Sequence, residues 1–179
     1  MEISEELEKI MDFAVDEAMR TGNMAVLPEH LLLAVLRHGT NDAVKAMASC
    51  GADPARIKDA VERPVFRKEA VPYGRRDEIG FCSETGALLN GAVAESMKAG
   101  AEKTSAIHLL LAMMRSSGSC RTVLDEAGVS CSGIAAFMEA AGLKAASECR
   151  TTLQDEIARA LAEQLESRHF RTGTPDVFS

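Results

Sequence analysis

Five side chains invite a chemical reading: His30 and His108, Glu17 and Glu95, and Glu29. A histidine beside a carboxylate can relay a proton or hold a metal. Yet neither histidine has a Cys, an Asp or a second His at ligand spacing. The sequence contains no G-x-x-x-x-G-K-[ST] phosphate loop, no H-E-x-x-H and no G-x-S-x-G elbow. Each histidine therefore reads as a first-turn residue of a buried helix, making a local polar contact. Glu17 and Glu95 read as helix-surface carboxylates paired with nearby cations, with partner contact as the alternative. Glu29 is the candidate ligand- or partner-binding residue, set against a structural role at the positive end of a helix. No catalytic residue, metal ligand or cofactor is expected.

The elements that carry these residues come in duplicate. LEKIMDFAVDEAMRTGNMAVLPEHLLLAVLR, from Leu7, aligns without gaps on TGALLNGAVAESMKAGAEKTSAIHLLLAMMR, from Thr85. The offset is 78 residues, His30 to His108. Ala14, Val15, Glu17, Met19, Gly22, His30, Leu31, Leu32, Leu33, Ala34 and Arg37 all recur, a coincidence that duplication explains and chance does not. In the first copy Leu7, Ile10, Met11, Ala14, Val15, Ala18 and Met19 form one face of a long helix. Gly22 and Gly100 suit left-handed caps at the ends of these helices. Pro28 suits the first turn of the next helix, and Ser105 offers an N-cap oxygen in the second copy. LLLAVL and LLLAMM are apolar on every side and predict enclosed rods.

Weaker helical patterns follow each rod. The predicted class is all-α: two pseudo-symmetric four-helix repeats at residues 1–62 and 81–141, joined by a linker loop at 63–80. The linker's two prolines and mixed charges read as solvated. A C-terminal extension, 142–179, is predicted to carry a helix at about 151–168 through Leu153, Ile157, Leu161 and Leu165.

Composition agrees with a helical protein. Aromatic residues make up only 4% with no Trp, while Met reaches nine. Such a core favours helices over sheet. A net charge of −7 argues against a nucleic-acid surface and gives no attraction to an anionic membrane. The acidic start lacks a signal-peptide pattern, so a cytoplasmic protein is expected. Cys50, Cys82, Cys120, Cys131 and Cys149 form no CxxC pair and read as reduced thiols.

AVDEAMRTGN followed by LPEHLLLAVLR, and AVAESMKAGA followed by SAIHLLLAMMR, together resemble the double Clp amino-terminal repeat of the Hsp100/Clp unfoldases, ClpA/ClpC-like. The resemblance covers about residues 1–141. It implies a docking domain for Clp adaptor proteins or protein substrates, with a Clp ATPase or protease as a further partner. The chain would then be free-standing or the amino-terminal piece of an unfoldase. In ClpC-like members the acidic residue of each EH motif helps receive the guanidinium of phosphoarginine-marked proteins. Glu29 matches that position, preceded by Pro28 where a small polar residue is usual. Ile107 stands at the second, so one of two sites lacks its carboxylate. The alternative is a small helical ligand-binding or oligomerisation module unrelated to proteolysis; oligomeric state is left open.

Overall fold

The computed structural model describes residues 2–143. The helix expected at about 151–168, and Cys149, lie outside the described residues. Helix α1, Glu5–Arg20, starts where Ser4 Oγ accepts the Leu7 N–H at 3.1 Å, with three glutamates in the first turn against the positive helix end. It stops at Thr21, where Gly22 turns the chain at φ 81°. Helices α2 (Pro28–His38), α3 (Asp42–Ser49) and α4 (Pro54–Val65) complete the first set. The second set repeats it as α5 (Ser83–Lys98), α6 (Ala106–Arg115), α7 (Ser119–Glu126) and α8 (Cys131–Ala140). Helix α4 runs three residues past the expected boundary at 62, because Pro64 falls in its last turn and not at a break.

The rods are enclosed, as all-round apolar helices must be. Leu31 to Val35 in α2 and every residue from Ala106 to Met114 in α6 are buried. Each buried leucine contributes roughly 2 kcal/mol by removal from water. The halves interlock. Helix α3 packs on α6 and α8 of the other half, and α7 packs on α2 and α4. One continuous cluster, from Leu7 to Met138, fills the space between them.

Four two-residue strands reinforce the exchange. β1 (Glu2–Ile3) precedes α1 and pairs in parallel with β4 (Lys103–Thr104), which follows α5. β2 (Ala25–Val26) follows α1 and pairs with β3 (Gly80–Phe81), which precedes α5. The 78-residue offset carries one pair onto the other. Each half thus lends its leading strand to the other's trailing strand.

Most side chains of the linker are exposed, in keeping with the solvated loop expected, while its backbone is anchored. It lies along the end of α1: Arg67 donates its N–H to Thr21 O at 2.7 Å and Val71 to Met19 O at 2.9 Å. Asn23 Nδ2 donates to Val65 O at 2.8 Å. These bonds bring further donors to carbonyls at the ends of α1 and α4. From within a 3-10 turn at Tyr73–Glu78, Arg76 reaches back to an ion pair with Asp16. Arg76→Ala is expected to cost about 1 kcal/mol and lower the melting temperature by about 2–4 °C, read by calorimetry.

Candidate functional site

The duplicated glutamates sit at the foot of the site. Glu17 and Glu95 are 6% and 3% exposed, which corrects the expectation of surface carboxylates. Each is held between the end of its own helix and the end of the following rod. Glu17 takes Arg20 Nε at 2.8 Å and lies 3.7 Å from Arg37. Glu95 Oε1 lies 3.0 Å from Arg115 Nε and 3.6 Å from Lys98 Nζ. A buried carboxylate needs such cations, because the unpaired ion would cost several kcal/mol.

The two clusters then diverge. In the first, Asp16, Glu17 and Glu62 face Arg20, Arg37 and Arg76, three acids to three bases. The Arg37 guanidinium also stacks 4.8 Å from the centre of the Phe13 ring. At the equivalent positions of the second stand Gly91 for Phe13 and Ala94 for Asp16. The missing ring and carboxylate leave a cleft of about 630 Å³ beside α5, walled by α6, the start of α7 and the start of α2. Its floor is Ala87, Leu88, Gly91 and Ala112; Glu84 and Glu29 line one wall and Lys98 and Arg115 another. The cleft therefore offers acids and bases separately around a small-residue floor.

Glu29 is half-buried at the lip and accepts a hydrogen bond from Ser119 Oγ, tying α2 to the start of α7. Cys120 beside it is buried, and burial together with the negative charge of Glu29 pushes its thiol up to about 12. It is a packing group, not a nucleophile. Ile107, the counterpart of Glu29, is 2% exposed and belongs to the core. The groove it lines with Asp42, Met138 and Leu143 is correspondingly apolar.

The histidines make the local contacts expected of them. His30 Nδ1 accepts the Leu27 N–H at 2.9 Å, and His108 Nδ1 accepts the Ser105 N–H at 3.0 Å. Each ring performs the backward half of a capping box, the part a Glu or Gln usually plays. This corrects the role given to Ser105, whose Oγ lies 3.2 Å from the His108 ring instead of accepting a backbone N–H. With Nδ1 accepting, Nε2 of His30 carries the proton and donates to Thr21 Oγ1 at 2.8 Å; Thr21 in turn donates to Glu17 O at 2.7 Å. Burial lowers both histidines from the usual value to about 4, so both are neutral at pH 7. Glu29 partly opposes the shift of His30 and Arg20 adds to it. Among the described residues no group of three or more His, Cys, Asp or Glu is placed to hold a metal ion. None of the described helices is long and apolar enough to cross a membrane.

The position of Glu29 was legible from its motif, but the cleft was not. It is made by what is small at Gly91 and Ala94, and only an element-by-element comparison of the two copies would have pointed to it.

Comparison with known proteins places this architecture. The family model described as "Clp repeat (R) N-terminal domain" matches residues 2–127. Chaperone protein ClpB of Oceanobacillus iheyensis is 27% identical over 128 residues, 71% of this chain and 15% of that protein. The negative regulator of genetic competence ClpC/MecB of Bacillus subtilis matches to the same identity and extent. The chain thus matches about 15% of the length of these relatives. Among solved structures, the Hsp104 N-terminal domain of Candida albicans superimposes with a TM-score of 0.64 at 21% identity, over 82% of this chain and 95% of that one. The N-terminal domain of the ClpD chaperone of Arabidopsis thaliana gives 0.57 at 20%, over 75% and 93%. Both likenesses show the fold.

Proposed function

Because the chain belongs to the Clp repeat N-terminal domain family, we propose that it docks adaptor or substrate proteins for an ATP-dependent Clp chaperone or protease, by non-covalent binding. The observation that carries the reading is the cleft beside α5, lined by Gly91 and Ala94 where the first half has Phe13 and Asp16. Its separated acids and bases suit a protein segment better than a small apolar molecule, which would want a mostly apolar enclosure. Glu29 is the residue assigned to meet a cationic group of the partner, being half-buried at the lip with a carboxylate oxygen on Ser119. Charge-assisted hydrogen bonds of this kind give orientation as well as affinity. The reading needs no turnover by this chain: it brings the client, and the ATPase does the work.

The test is crosslinking capture with the tagged chain, followed by titration against each captured protein after purification. Glu29→Ala is expected to weaken binding about ten-fold, the loss of one charge-assisted contact. Ala87→Trp, at an exposed floor position, is expected to block the cleft. Arg56→Ala, on exposed α4 away from the cleft, serves as the control that binds normally. Equal affinity in all four proteins would show that the partner docks elsewhere.

A further inference from the structure

Resting on the reading that the cleft docks a protein, we propose that its Lys98–Arg115 end receives the carboxylate of an aspartate or glutamate side chain carried by the docked segment. The argument is one of missing charge. In the first half the outward side of Arg37 is answered by Asp16 at 3.8 Å, and Arg20 is answered by both Glu17 and Glu62. In the second half Lys98 and Arg115 share Glu95 alone. No other carboxylate pairs with either among the described residues. The side chains of Lys98 and Arg115 are 35% and 25% exposed, enough for a ligand to reach them and too little for water to screen them fully.

Geometry points the same way. Ala94 is exposed and takes the place of Asp16, so the space in which the first half keeps a carboxylate is here part of the cleft. An incoming acidic side chain would stand where Asp16 stands in the twin. Arg115 would then hold two carboxylates, as Arg37 does. Glu29 and Glu84 line the other wall and repel an acid there, which fixes the direction of the segment: its acidic residue lies towards Lys98 and Arg115, its basic or polar one towards Glu29.

The experiment uses the full chain and a defined probe, N-acetyl-glutamate N-methylamide, followed by nuclear magnetic resonance. The Arg115 Nε and the Lys98 and Ser116 amide signals are expected to shift on titration. The glutamine analogue of the probe should act at least about ten-fold more weakly, the difference one ion pair makes. Ala94→Asp rebuilds the twin's acid. It should leave the melting temperature within a few degrees of wild type and cut the response to the glutamate probe at least about ten-fold. Should that variant fail to fold, Lys98→Gln replaces it and should weaken the glutamate probe without touching the glutamine one. Equal responses to the two probes, or an undiminished response in the folded Ala94→Asp protein, overturns the subsite. If that happens while Ala87→Trp still abolishes partner binding, docking stands and only the acid preference falls. Partner binding indifferent to Ala87→Trp overturns docking whatever the probes do.

Discussion

Between pH 7.5 and pH 5 the folded chain is expected to lose about 4 kcal/mol of stability, about 2 kcal/mol from each of His30 and His108. Both rings hold a folded pKa of about 4, against an ordinary 6.5. Between those values the unfolded chain binds protons that the folded one refuses, so stability falls as pH falls. The contribution is complete above about pH 7.5, falls steadily as pH drops from about 6.5 towards 4, and is exhausted below about pH 4. The cause is structural as well as dielectric. Protonating Nδ1 would remove the acceptor of the Leu27 or Ser105 N–H at a buried ring. Urea titrations at pH 7.5, 6 and 5 measure the slope above the range in which ordinary carboxylates titrate. His108→Gln should halve it, since glutamine at the same helix position accepts the same N–H and does not titrate. An unchanged slope in that variant would mean that other groups carry the acid sensitivity.

Gly22→Ala is the second large effect, with an expected loss of about 3 kcal/mol. Two terms add. Gly22 has φ 81°, where any side chain costs about 1 kcal/mol or more. A Cβ there would also come within 2.2 Å of Glu69 O and 2.8 Å of Arg67 Cβ, so the linker would have to lift off α1. Lifting it breaks the bonds from Arg67 and Val71 to the end of the helix. Gly51 is the matched control: its φ is also 81° and nothing lies within 4 Å of its added Cβ. Gly51→Ala should cost only the backbone part, about 1 kcal/mol. Chemical denaturation of the two variants separates strain from collision, and equal losses would show that the linker gives way freely.

What could be read from sequence followed from periodicity and duplication. The apolar phases of α1, the enclosed rods and the glycine caps are local signals, repeated at a fixed offset. The burial of Glu17 and Glu95 was not local. It depends on Arg37 and Arg115, which arrive from the next helix, and a helical wheel does not show them. The strands escaped notice because two residues cannot carry an alternating pattern, and their partners lie far along the chain. The anchoring of the linker was hidden for a related reason. Charge and proline describe its side chains, whereas its backbone N–H groups do the binding to α1.

The crossed strand pairs have a consequence for how the molecule comes into being. Glu2 cannot meet Lys103 until the chain has been made well into its second half, and Val26 must wait for Phe81. Contacts so distant in sequence are the slow, entropically costly ones. On the ribosome the leading bundle must therefore idle unfinished until its sibling has been synthesised. An isolated half would keep unsatisfied edges, ready to seize the matching segment of a neighbouring nascent chain.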